Sequence, residues 1–179
     1  ERRQEGNVVA NGLPQCPVAR QCGACQHVNQ PYDQQLAAKD ERVAQLFFRV
    51  AAPEALRPIL GMRDPYAYRN KVMSPFAPGA PRKAAPGKRG GKRPSRPASP
   101  QRDILCGMYA AGTHRIIDTG ECLIENAQAK QVIRAVRSLM LKFGIPPYDE
   151  DRGTGFMRHA VVRVGHTTGE VLVTLVTNG

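Results

Sequence analysis

Three of the chain's five cysteines fall within ten residues, in the stretch QCPVARQCGACQHV, while the other two stand alone at Cys106 and Cys122. Any fold proposed for the chain has to account for that cluster. In a small secreted domain, clustered cysteines usually form a disulfide framework, because such a domain cannot bury enough core. This chain has 179 residues, enough for a core of its own, and its cysteine count is odd. No signal-like apolar segment opens it, and no stretch approaches 18 apolar residues. The expectation is a reduced, cytoplasmic protein with no membrane association.

In a reduced compartment, thiols at short spacing hold a metal or perform redox chemistry. A redox pair at Cys22-Gly23-Ala24-Cys25 would need a strand before it and a helix starting at it. Instead Pro14 and Pro17 precede it, and the loop-like HVNQPYD follows. A metal centre fits better. Cys16, Cys22 and Cys25, spaced C-x5-C-x2-C, can turn three sulfurs toward one centre, with Gly23 easing the turn. The fourth position is open to Cys106, Cys122 or one of His27, His114, His159 and His166. Tetrahedral zinc accepts four cysteines, or three with a histidine, whereas a [4Fe-4S] cluster usually takes four cysteines. Zinc ribbons favour two short cysteine knuckles and this chain has one, so the spacing leans toward iron-sulfur and keeps zinc as the alternative.

Around the cluster the chain reads as an ordinary fold with one interruption. Residues 1–13 are polar and unpatterned, and read as the remnant of a preceding segment or linker. In YDQQLAAKDERVAQLFFRV, Leu36, Val43, Leu46, Phe47 and Val50 recur at helical spacing, which predicts an amphipathic helix with that stripe in the core. YAYRNKVMSPF alternates like a strand. Residues 77–102 then change composition completely, to Pro, Gly, Ala, Ser, Lys and Arg without an acidic or aromatic side chain, and predict a disordered insertion between two strands. Its eight Lys and Arg side chains account for most of the net charge, since removing them takes the chain from +11 to +3. Such a segment attracts phosphate without reading sequence. ILCGMYAAGTHRIIDTG predicts a hairpin turning at Ala111-Gly112. A second helix follows in NAQAKQVIRAVRSLMLKFG, with Val132, Ile133, Val136, Leu139 and Met140 inward and Gly144 as its stop. MRHAVVRVGHTTGEVLVTLVTNG predicts another hairpin around Thr167-Thr168-Gly169. Hairpins rather than crossovers point to an α+β fold: an antiparallel sheet, two packed helices and the N-terminal cysteine loop.

No phosphate-binding glycine loop, metalloprotease helix or nucleophile elbow is present, so no catalytic residue is expected in the chain. Cys106 lies inside an apolar strand, where a free thiol behaves as a small hydrophobe.

Taken together, CPVARQCGACQHVNQPYDQQLAAKDERV, GMRDPYAYRNKV, YAAGTHRIIDTGECLIE and MRHAVVRVGHTTGEVLVTLVTNG resemble, in order, the RNA uracil-C5 methyltransferases, of the type that methylates 23S ribosomal RNA. The resemblance covers nearly all of residues 14–179 outside the insertion. It implies an iron-sulfur and central RNA-recognition domain, with a [4Fe-4S] cluster held by Cys16, Cys22, Cys25 and Cys122. It implies RNA contacts at Arg69, Asn70 and Lys71, and a second, weaker set at Arg158, His159 and Arg163. It also implies that an N-terminal β-barrel and a C-terminal Rossmann-like domain, which in the family binds S-adenosylmethionine and carries the catalytic cysteine and base, are absent from this chain. The fragment is then expected to be inactive alone and monomeric. The competing expectation is a stand-alone metal-binding RNA module.

Overall fold

The computed structural model describes residues 14–81 and 102–179. The remnant 1–13 and residues 82–101 of the insertion lie outside the described residues. The elements are α1 (Tyr32–Phe47), a short 3-10 turn (Pro53–Ala55), β1 (Lys71–Pro81), β2 (Arg102–Tyr109), β3 (Ile116–Asp118), α2 (Ala127–Phe143), β4 (Met157–Val164) and β5 (Val171–Thr177). The five strands form one antiparallel sheet in the order β3-β2-β1-β4-β5, with α2 packed on β4, β2 and β1. The α+β architecture is the expected one.

Register explains why one face is apolar. Val72 lies opposite Val162, Ser74 opposite Ala160, and Phe76 opposite Cys106, so one set of alternating side chains meets α2. Ala129, Ile133 and Met140 of α2 close the core over them. Burial of each large side chain there contributes on the order of 1.5–3 kcal/mol. The boundaries of α2 follow from its ends. Asn126 Oδ1 accepts from the N–H of Gln128 and of Ala129, at 2.9 and 3.4 Å, and Gly144 takes the left-handed conformation that ends the helix. Both hairpins turn where expected, with Gly112 and Gly169 at positive φ.

Three expectations are corrected. The inward stripe of α2 omits Leu139, which is half exposed and takes no part in the core cluster. The insertion is shorter than composition suggests, since 77–81 and Arg102 are strand. Pro75 ends the pairing of β1 with β4, and the register with β2 shifts between Pro78 and Pro81; prolines are tolerated at such breaks in a ladder.

The largest correction concerns α1, which has no buried residue. Val43, Leu46, Phe47 and Val50 are 42–75% exposed. The helix is fastened through Tyr32, Leu36 and Asp40 to residues 59–62: Tyr32 Oη accepts from the Met62 N–H at 2.8 Å, Asp40 Oδ1 accepts from the Ile59 N–H at 3.1 Å, and Leu36 rests against Gly61. Periodicity identifies an apolar face; it does not say what covers it. Among the described residues no helix is long and apolar enough to cross a membrane.

Candidate metal centre and RNA-facing residues

The cysteine loop is built from local turns. The N–H of Gln21 and of Cys22 both donate to the Val18 carbonyl, at 2.9 and 2.8 Å, and Asn29 Oδ1 holds the Cys16 N–H at 3.1 Å. Cys22 bridges to Ala110, so the loop sits against the β2–β3 turn. Gly23 serves here through close approach rather than through a left-handed turn: a Cβ at that position would lie 2.8 Å from Ala111 Cα. Cys122 arrives from the other side, in the turn after β3. Its N–H donates to the Thr119 carbonyl at 2.9 Å, and Lys130 of α2 donates to its carbonyl at 2.9 Å.

These turns place Cys16, Cys22, Cys25 and Cys122 around one small cavity, otherwise lined by Val18, Ala19, Ala24, Val28, Met108 and Thr119. All four are free thiols. Burial raises the Cys25 thiol, with Arg69 opposing and Cys22 and Cys16 adding to it. Burial also raises Cys122, with Glu125 and Cys25 adding. Cys106 lines no part of this cavity. It is 8% exposed in the core, and burial pushes its thiol up to about 11, as befits a packed residue.

Among the described residues, no group of three or more His, Cys, Asp or Glu side chains is arranged so that it could hold a metal ion.

The six residues expected at RNA fall in three places. Arg69 is half buried and turned toward the cysteine loop, its guanidinium 3.5 Å from the Ala24 carbonyl and its charge beside Cys25 and Glu125. Asn70 Oδ1 accepts from Asn126 Nδ2 at 3.0 Å, and the Asn70 carbonyl accepts from the Val164 N–H at 2.9 Å. Lys71 and Arg163 are exposed partners across β1 and β4. Arg158 and His159 belong to a separate cavity with Tyr109 and Tyr148.

Sequence comparison gives relatives along almost the whole chain. An uncharacterized RNA methyltransferase of Halalkalibacterium halodurans is 37% identical over 166 residues, 92% of this chain and 32% of that protein. Proteins of the same description from Bacillus cereus and Staphylococcus aureus are 34% identical over 165 residues and 35% over 168, covering 91% and 93% of this chain and 31% and 33% of theirs. This chain is similar to RNA methyltransferases. It spans about a third of the length of the curated relatives it matches. No family model matches it. Among solved structures, the tRNA (uracil-54, C5)-methyltransferase of Pyrococcus abyssi, in complex with S-adenosyl-L-homocysteine, superposes with a TM-score of 0.58 at 20% identity. The overlap covers 86% of this chain and 31% of that one, and shows a shared fold.

Glu125 was not anticipated. It is 4% exposed, and burial raises its carboxyl while Arg69 and Lys130 oppose the shift. The available signal was a lone carboxylate between Ile124 and the helix cap Asn126. Arg69 and Glu125 also bridge through their backbones: the Arg69 N–H donates to the Ile124 carbonyl at 2.8 Å, and the Arg69 carbonyl accepts from the Asn126 N–H at 3.0 Å. Together they tie the cysteine loop, the entry to β1 and the start of α2 into one unit.

Proposed function

We propose that this chain is the central part of an S-adenosylmethionine-dependent RNA methyltransferase that forms 5-methyluridine in 23S ribosomal RNA, working in the cytoplasm as a monomer. The similarity to RNA methyltransferases over nine-tenths of the chain carries the reading. Methyl transfer and cofactor binding fall to the remainder of the whole protein, and the part described here holds a [4Fe-4S] cluster and presents basic side chains to RNA.

Cys16, Cys22, Cys25 and Cys122 would hold the cluster as thiolates, which would pin the N-terminal loop to the turn after β3. Their position around one cavity supports this assignment, and metal binding adds folding free energy because the unfolded chain has no preformed site. Arg69 places a positive charge beside Cys25, which favours the thiolate that a metal requires. Lys130, on the Cys122 carbonyl, fixes that ligand relative to α2. Lys71 and Arg163, exposed and adjacent, would meet phosphates.

The test uses the whole protein, labelled S-adenosylmethionine and an unmodified 23S RNA transcript, with a tRNA transcript in parallel. The expected product is 5-methyluridine in the ribosomal RNA. Label in the tRNA alone would overturn the choice of substrate, and label in neither would overturn the enzymatic reading in favour of a metal-bearing RNA-binding module.

A further inference from the structure

A larger cavity, of about 480 Å3, lies between α2, β1, β2, the turn after β3 and the start of the cysteine loop. That is within the roughly 300–1,000 Å3 of sites for small organic groups. Its lining includes Glu125, which is 4% exposed. Among the described residues the Glu125 side chain accepts no hydrogen bond and forms no ion pair. No fully buried side-chain oxygen of those residues lacks a partner, so the oxygens of Glu125 keep their access through the cavity it lines. A carboxylate so enclosed is costly unless something supplies it with donors.

The remaining charges around the cavity are largely committed. Asp118, Glu121 and Glu125 line it together with Lys130, Arg134 and Arg137, three acidic groups against three basic ones. Arg134 pairs with Glu121 at 2.8 Å, and Arg137 with Asp103 at 2.9 Å. Asp118 Oδ1 accepts from the Gly120 N–H at 2.9 Å. Lys130 uses one of the three donors of its ammonium on the Cys122 carbonyl, at 2.9 Å. The charges of Arg69 and Lys130 both act on the Glu125 carboxyl, and of the two only Lys130 lines the cavity. The uncommitted groups are thus the two oxygens of Glu125 and the further donors of Lys130, beside the apolar surfaces of Val18, Val72, Cys106 and Ile133.

Apolar walls with a polar edge suit a heterocyclic base. An ammonium or a metal ion would lose its hydration against those walls without replacement ligands. Among the RNA bases only guanine offers two adjacent N–H donors, N1–H and N2–H, which match the two oxygens of one carboxylate and favour its ionised form. Its O6 acceptor stands next to them, where an ammonium can meet it.

We propose that this cavity receives the guanine base of a single-stranded RNA segment, with Glu125 accepting from N1–H and N2–H and Lys130 donating to O6. The proposal rests on the RNA reading above and adds a base preference to it. A guanine paired in a duplex has that edge occupied, so only an unpaired one enters.

The test is binding of fluorescein-labelled single-stranded uridine 12-mers, carrying one central guanosine, inosine or adenosine, to the full chain purified without oxygen. Inosine keeps N1–H and O6 and lacks only the amino group. The guanosine strand should bind about 10- to 150-fold more tightly than the inosine strand, the range for one hydrogen bond to a charged group. In Glu125→Gln that preference should vanish, because the amide nitrogen is a donor where guanine also donates. The adenosine strand should bind the variant no more weakly than the original chain, which shows the variant folded. Photocrosslinking of the unaltered chain to a strand with central 6-thioguanosine needs no variant, and should map to Lys130 or Cys106. Strands that bind alike whatever the central base, a guanosine preference that survives Glu125→Gln, or crosslinks that map only elsewhere would refute the guanine site while RNA binding stands. Guanosine monophosphate binding as tightly as the guanosine strand would make it a mononucleotide site and refute the RNA assignment. If no strand binds, the RNA reading itself fails and the proposal with it.

Discussion

Gly23→Ala perturbs the cysteine loop without touching a thiol. The new Cβ would meet three atoms of Ala111: Cα at 2.8 Å, Cβ at 2.9 Å and the backbone N at 3.0 Å. Two of these are main-chain atoms, so no rotamer change relieves the clash; the loop and the β2–β3 turn must move apart at the Cys22–Ala110 bridge. Overpacking of this kind costs roughly 1–3 kcal/mol. At about 2–4 °C per kcal/mol for a chain of this size, the melting temperature should fall by roughly 2–12 °C. Because Cys22 and Cys25 flank the displaced residue, metal bound per chain should fall as well. Gly112→Ala is the control. It lies in the same turn at φ +66° with no atom within 4 Å of the added Cβ, so it should cost about 1–2 kcal/mol from its left-handed backbone and leave the metal in place. Adding Ala111→Gly to Gly23→Ala removes only the Cβ contact and should restore part of the loss. Calorimetry and metal analysis read all four proteins. A Gly23→Ala chain melting within about 1 °C of the original, with full metal, would show that close approach does not hold the loop.

Cys122→Ser should abolish metal binding, whereas Cys106→Ser should keep it and lose about 1–3 kcal/mol, because a hydroxyl replaces a thiol in the core; equal metal loss in both would mean the wrong fourth ligand. Burial raises the Glu125 carboxyl, so the native state favours its neutral form and that contribution, full below the ordinary carboxylate pKa, is lost as pH rises through the native one. The unfolding free energy of the original chain minus that of Glu125→Gln, from denaturant titrations, should therefore fall as pH rises above the ordinary carboxylate range of about 4; a difference that grows with pH would refute the assignment. If about four basic side chains meet phosphates, log affinity for single-stranded RNA should fall against log salt with a slope near −3. Deleting residues 82–101 should make that slope shallower, and an unchanged slope would remove the insertion from the RNA contacts.

What the sequence revealed depended on whether an interaction was local. Asn126, Gly144 and the two hairpin glycines act on their own neighbours, so α2 and both turns were readable in advance. The stripe on α1 was equally readable, yet its partner was not, and it lies exposed while Tyr32 and Asp40 make the attachment. Composition misjudged 77–81 because Pro75, Pro78 and Pro81 fall where pairing changes hands or register. The first three cysteines were visible by spacing. Cys122 could be chosen over Cys106 only through resemblance, and the cavity brings Cys122 to the others across 97 residues of chain from Cys25. Glu125 offered only a lone carboxylate beside the helix cap Asn126, because its meaning comes from Arg69 and Lys130, which meet it only in the folded chain.

The central claim, that four cysteines from two distant segments hold an iron-sulfur cluster, is tested most directly by purifying the chain without oxygen and measuring iron, acid-labile sulfide and zinc. The expected result is a brown protein with broad visible absorption and about four iron and four sulfide per chain. A colourless protein carrying one zinc per chain would contradict it.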